Sequence, residues 1–262
     1  MALTILKLGG SIISHKYTDG DFAAEAVARL AQEIKQALTA KPQQLILIHG
    51  GGGKVHRLAR QFGLKEGAKT AEQIRESLLT HYAVRELTQQ VLGVLTEADL
   101  PIMPLPTSSI FTVKQGQPIL LATDIIQQTL DKGLIPMLSG DMVLDDRVNF
   151  SILSGDRIAT VLAKQLGADR IIFASDVDGL YSDDPKVNQY AKLIERIDIA
   201  KLKAFDLPTG QGDTSGQMLG KVASLIHDDN QTPVTIINGL APGRLQQALI
   251  GQLVPSTLIT AQ

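Results

Sequence analysis

Short apolar runs that stop at glycine or at a polar turn alternate with longer segments whose apolar residues recur every three or four positions. This alternation constrains the fold more than any other feature of the chain. The runs cover residues 3–8, 44–49, 102–105, 134–138, 170–174 and 234–237. They have strand rather than helix length, and near-continuous apolar runs of this kind suit strands covered on both faces. Between the first two, Val27, Leu30, Ala31, Ile34 and Leu38 recur at helical spacing on a segment that begins near Asp21, whose carboxylate suits an N-cap. Residues 3–49 therefore read as a βαβ unit. Further helical patterns cover 71–95, 156–166 and 215–227, and 111–121, with Gln115-Gly116-Gln117 in its middle, reads as a β-hairpin. The expected class is α/β, an open αβα sandwich around a mainly parallel sheet.

At 262 residues, a chain can bury roughly 73% of its unfolded surface, so a large core is within reach. No internal repeat, low-complexity tract or Pro/Ser-rich linker marks a boundary. The chain is read as a single domain, 1–262, with an N-terminal lobe of about 1–150 and a C-terminal lobe of about 151–262, a division drawn from motif placement alone. Lys and Arg total 25 against 27 Asp and Glu, for a net charge of -2, which gives no global attraction to nucleic acid or anionic lipid. The absence of cysteine excludes a disulfide framework, a thiolate nucleophile and a Cys-ligated zinc. The apolar run before Lys7 is too short for a signal h-region, and no run approaches membrane-spanning length. The expectation is a cytoplasmic protein with a small-molecule substrate.

Phosphate chemistry is suggested where strands end. Lys7 closes the first strand and is followed by Gly9-Gly10-Ser11, at the end of the strand where open α/β sheets place ligands. After the second strand comes His49-Gly50-Gly51-Gly52-Gly53-Lys54-Val55-His56, running into a helical pattern at 57–62. Consecutive glycines cost backbone entropy, and at a helix start they let amides approach an anion closely. His56 would lie just inside that helix, able to donate a hydrogen bond to a phosphate. Ser139-Gly140-Asp141 follows the 134–138 strand, and Ser154-Gly155-Asp156 opens another helix. Asp156 suits two roles, stabilising its helix N-terminus or orienting lysines across the site.

Taken together and in order, these segments resemble the amino acid kinase family, which transfers the γ-phosphoryl of ATP to a carboxylate or a phosphate. The most specific stretch includes Gly155-Asp156, Leu162-Ala163, Gly167-Ala168-Asp169, Asp176-Val177-Asp178-Gly179 and Asp184-Pro185, with Ser175 where threonine is usual. Within the family the chain is most similar to the isopentenyl phosphate kinases. Their loop reads His-Gly-Gly-Gly-Ser-Phe-Gly-His, which His49, Gly50, Gly51, Gly52 and His56 match while Gly53, Lys54 and Val55 depart. Val84-Arg85-Glu86-Leu87 and Pro104 to Ser109 also resemble that branch.

The resemblance implies that Lys7, Lys16 and Lys221 surround the transferring phosphoryl group and that Asp156 organises them. It implies ATP contacts from Gly9, Gly10, Ser11, Asp176, Gly179, Tyr181, Gly216 and Lys221, and acceptor-phosphate contacts from Gly51, Gly52, His56 and Gly140. The acceptor's tail would lie near Leu78, Leu79, Tyr82 and Val84. Mg²⁺ is expected with ATP, without a cage of protein carboxylates, and a homodimer is expected. A fosfomycin kinase is the nearest rival, and a non-catalytic nucleotide sensor or storage protein is the alternative of another class.

Overall fold

Strand β1 (Leu3–Leu8) is buried along its whole length, which places it inside the sheet rather than at an edge. It pairs in parallel with β2 (Gln44–His49) on one side and β9 (Arg170–Ser175) on the other. The computed structural model describes residues 1–15, 21–183, 185, 187–204, 225 and 230–261. Beyond β2 lie β6 (Ile135–Ser139) and β3 (Ile102–Pro104), both parallel. Beyond β9 lie β11 (Val234–Asn238), then β12 (Ser256–Thr260) antiparallel to it, then β10 (Arg196–Asp198). Among the described residues the order is β10-β12-β11-β9-β1-β2-β6-β3. The chain builds outward from β1 in opposite directions, so a topological switch point falls between β1 and β9, and ligands collect at the carboxyl ends of strands there.

Period-two alternation divides the sheet's residues between two apolar cores. Leu3, Ile5, Ile46, Ile48, Ile171 and Phe173 belong to one, with Ile158, Ala159 and Leu162 of helix α7 (Gly155–Leu166) and Ile126 and Leu130 of α6 (Thr123–Asp131). Leu6, Leu8, Leu45, Leu47, Ile172 and Ala174 belong to the other. Their partners are on α2 (Ala24–Ala40), α4 (Ala71–Glu97) and α9 (Arg244–Ile250). Lys7 shares the parity of Leu3 and Ile5 and is thereby turned toward α7. A smaller sheet, β5-β4-β7-β8, joins the first core through Phe111, Val113, Val143 and Leu153. It is formed by β4 (Phe111–Lys114), β5 (Gln117–Leu120), β7 (Asp141–Asp145) and β8 (Asn149–Leu153).

The α/β class and the mainly parallel sheet agree with the sequence reading. Strands 3–8 and 44–49 coincide with β1 and β2, and the others shift by about a residue at their ends. The hairpin is present, and its turn residues Gln115 (φ 51°) and Gly116 (φ 77°) both take the positive φ of a type I′ turn. One expectation is corrected. Asp21 does not cap α2, which starts at Ala24 behind Ala23 with no side-chain cap. The backbone of 21–23 is instead tied to the end of α1 (Gly10–Ile13), with the His15 amide on the Asp21 carbonyl and the Ala23 amide on the Ile13 carbonyl. The helix cannot begin until that pairing ends. The expected 215–227 helix lies outside the described residues except for Leu225, which is helical and buried.

Candidate functional site

Lys7 is 5% exposed, and its Nζ lies 2.7 Å from Oδ1 of Asp156, itself 8% exposed. Local geometry delivers both. The strand parity of Lys7 aims it at α7, and Ser154 takes the N-cap role there by accepting the Arg157 amide. Asp156 is thus released from capping and its carboxylate holds the lysine. The Lys7 ammonium also lies 5.8 Å from the centre of the Phe173 ring. Gly155 makes room for the pair, since a Cβ there would meet Cε of Lys7 and Cγ2 of Ile48, each at 3.1 Å. Burying an ion pair is costly, and a fixed ammonium beside strand-end glycines is what that cost sustains here.

Two glycine loops meet back to back in front of this pair. A Cβ on Gly50 would lie 2.6 Å from the Gly10 nitrogen, and one on Gly10 would lie 2.9 Å from the Gly52 nitrogen. No side chain fits at either contact. Ser14 ties the loops together, donating to the Gly10 carbonyl at 2.8 Å and accepting the Gly53 amide at 2.9 Å. Gly52 has φ +69° and lies against Ser14 and Leu87, so it is held to glycine by conformation as well as by space. Helix α3 starts at Gly52 and runs to Gln61, earlier than the sequence pattern suggested. Gly51 stands at its N-cap, Gly52 and Gly53 open its first turn, and His56 lies in the next, exposed.

His49 at the end of β2 is fully buried, with Nδ1 2.9 Å from the Gly50 carbonyl and Nε2 3.0 Å from the Thr88 hydroxyl. Burial lowers its pKa to about 4, partly opposed by the Gly50 bond. The imidazole is neutral at physiological pH, with Nδ1–H donating to the Gly50 carbonyl and Nε2 against the Thr88 hydroxyl. The Gly140 amide donates to the His49 carbonyl at 3.0 Å, so the end of β6 joins the same crevice. On the β9 side, the Gly9 amide bonds the Ala174 carbonyl at 2.8 Å and Ser11 donates to Asp176 at 3.1 Å. Lys7, Gly9, Gly10, Ser11, Gly50–Gly52, Gly140, Asp156 and Asp176 therefore gather where β1, β2, β6 and β9 end. Ammonium, glycine amides and a helix N-terminus in one crevice suit the binding and charge neutralisation of phosphates.

The family model of the amino acid kinase family matches residues 2–238. The chain belongs to the amino acid kinase family. It is similar to the isopentenyl phosphate kinase of Methanothermobacter thermautotrophicus, with 30% identity over 99% of this chain and 100% of the relative. It is also similar to that of Methanocaldococcus jannaschii, with 32% identity over 96% of each. A solved isopentenyl phosphate kinase superposes with a TM-score of 0.84 at 28% identity, covering 98% of this chain and 100% of the other. The chain is accordingly an ATP-dependent phosphotransferase.

Other expected residues of the kinase sit in different places. Gly179 fits against β12, where a Cβ would meet Oγ1 of Thr257 at 2.2 Å. The Tyr181 hydroxyl donates to Asp178 at 3.1 Å, and burial first, then Asp178, raises its pKa. Asp178 is held in turn by Arg244 at 2.9 Å, a residue the sequence reading missed because no local pattern links it to that loop. Lys16, Gly216 and Lys221 lie outside the described residues. Leu78, Leu79, Tyr82 and Val84 do not share a face: the first three are 40%, 53% and 59% exposed, while Val84 is turned inward at 1%. Lys54, the charge that departs from the family loop, points away to an exposed ion pair with Glu86 at 2.7 Å. Val55 packs on Gly51, where a Cβ would lie 2.8 Å from Cγ1 of Val55.

Among the described residues no group of three or more histidine, aspartate or glutamate side chains could hold a metal. Asp156 and Asp176, the carboxylates nearest the loops, are engaged with Lys7 and Ser11. None of the described helices is long and apolar enough to cross a membrane.

Proposed function

We propose that this kinase phosphorylates isopentenyl phosphate, forming isopentenyl diphosphate and ADP. The reading rests chiefly on the buried Lys7–Asp156 pair at the meeting of two glycine loops. Full-length likeness to isopentenyl phosphate kinases supports the acceptor and favours it over a phosphonate such as fosfomycin. A buried ion pair built into the crevice also argues against a sensor that merely binds nucleotide.

The acceptor phosphate oxygen attacks the γ-phosphorus in line, a P–O bond forms, and the bond to the β–γ bridging oxygen breaks, with ADP leaving. No protein nucleophile takes part, and alignment and charge neutralisation supply the acceleration. Lys7 lies along the transferring group, its ammonium contributing about 4 kcal/mol of attraction at 4 Å and an effective dielectric of 20, before desolvation. Asp156 holds that ammonium in place, and Lys16 and Lys221 are assigned to the same group by family resemblance. Gly9, Gly10 and Ser11, with Asp176, face the ATP phosphates. Gly51, Gly52, His56 and Gly140 face the acceptor phosphate, with His56 donating to it. Nucleotide contacts are also assigned to Gly179, Tyr181 and Gly216. The acceptor side then falls in about 1–150 and the nucleotide side in about 151–262, and the substrate is Mg²⁺-bound ATP, the metal carried by the nucleotide. A cytoplasmic homodimer completes the reading, on resemblance alone.

The test is ADP release with ATP and Mg²⁺ against isopentenyl phosphate, dimethylallyl phosphate, fosfomycin, acetylglutamate and uridylate. Isopentenyl phosphate is expected to give the highest kcat/KM. Preference for fosfomycin or acetylglutamate would keep the family and refute the acceptor.

A further inference from the structure

One face of α4 reaches both loops assigned to the acceptor phosphate. Near its middle, Thr88 meets Nε2 of His49, whose carbonyl receives the Gly140 amide. Two turns earlier on the same face, Nδ1 of His81 donates to Oδ1 of Asp141 at 2.8 Å. Asp141 directly follows Gly140, is 5% exposed, and uses the same oxygen to accept the Met142 amide at 2.8 Å. A closed circuit results: α4 holds His49, His49 holds Gly140, and Asp141 returns to α4 through His81. The residues Thr88 and His81 are seven apart, about 10 Å of helix, so a rigid rod fixes the spacing of the two loops.

A buried carboxylate at the first position of a strand is costly unless fully bonded. A core position could hold an apolar side chain instead, yet here a carboxylate and a histidine combine to fix the main chain at 140–142. The ATP-side loop has separate anchors in Ala174 and Asp176. We propose that His81 is a positioning residue for the phosphate acceptor: acting through Asp141, it holds the Gly140 turn against the His49–Gly52 loop, so that the acceptor phosphate meets a preset surface. The inference rests on the acceptor reading above and adds a residue that no motif marks.

The experiment measures KM and kcat for isopentenyl phosphate and for ATP in wild type, His81→Leu, His81→Asn and His81→Gln, alongside melting temperature. The Nδ2–H of asparagine occupies the place of imidazole Nδ1–H and can reach Asp141, whereas the glutamine amide sits one bond further out. His81→Leu should raise the acceptor KM about tenfold or more while the ATP KM stays within about twofold, and His81→Asn should restore most of the loss. If the leucine variant fails to fold, the contrast between asparagine and glutamine decides, with a raised acceptor KM expected only for glutamine. An acceptor KM unchanged in His81→Leu, or asparagine and glutamine variants alike, overturns the inference while leaving the kinase reading intact. Wild-type protein with no turnover of isopentenyl phosphate overturns that reading and the inference with it.

Discussion

A buried ammonium beside a buried carboxylate is an expensive thing to place in a protein interior, and its removal has two separable effects. Lys7→Met should lower kcat by two or more orders of magnitude, measured as ADP release, because the transferring group loses a fixed positive charge. It should also lower stability by about 3 kcal/mol by stranding Asp156, a loss that a Lys7→Met/Asp156→Asn double variant partly recovers while activity does not. His49 acts on stability through pH. Its folded pKa of about 4 lies below the ordinary 6.5, so between those values the unfolded chain binds a proton that the folded chain does not. Its contribution is fully present above pH 6.5 and is lost as pH falls toward 4, amounting to about 3 kcal/mol below both values. Urea midpoints measured from pH 7 to 4 should fall steeply over that window, and more shallowly in His49→Gln.

Loops and helices are held at their ends by side chains from elsewhere in the chain. Glu33 of α2, 5% exposed, accepts the amides of Gly243, Leu245 and Gln246 and so caps the start of α9 from another helix, with Arg29 bridging Glu33 to the Gly239 carbonyl. Glu33→Ala should cost about 3 kcal/mol, since it uncaps a helix, leaves three amides without their acceptor and removes the ion pair of the part-exposed Arg29. Calorimetry should then show melting lowered by about 6 to 12 °C. At Gly10 and Gly50 the constraint is backbone contact rather than conformation. Gly50→Ala would force apart Gly50 and Gly10, 2.6 Å from a Cβ to the Gly10 nitrogen. Loss of kcat/KM for both substrates is expected with the far-ultraviolet circular dichroism retained. Unchanged kinetics would mean that the loops need not touch. The sequence showed these glycines but not the contact between them, because Gly10 and Gly50 are brought together only by the parallel register of β1 and β2.

Across the whole molecule, what was legible followed from periodicity, and what was not followed from distant pairing. The short apolar runs of β1 and β2 located both strands and thus the crevice, and Lys7, Gly9, Gly10, Gly50–Gly52, Gly140 and Asp156 converge there. The short strands β7, β8, β10 and β12 were not visible, since β7 and β10 mix charged and β8 and β12 mix uncharged polar residues with apolar ones, and all four gain their identity from partners. Asp21 misled because an N-cap preference is local, while its backbone is committed to His15. His81, Arg244 and the Ser14 clamp carry no local signal, as each works through a residue far away in sequence. The central claim is that the crevice at the strand ends transfers a phosphoryl group to a phosphate. The most direct measurement is ³¹P NMR of ATP, Mg²⁺ and isopentenyl phosphate with wild-type protein and with folded Lys7→Met. The account predicts a coupled diphosphate signal growing in step with ADP for wild type and essentially none for the variant. Release of inorganic phosphate without diphosphate, or equal product from both proteins, would contradict it.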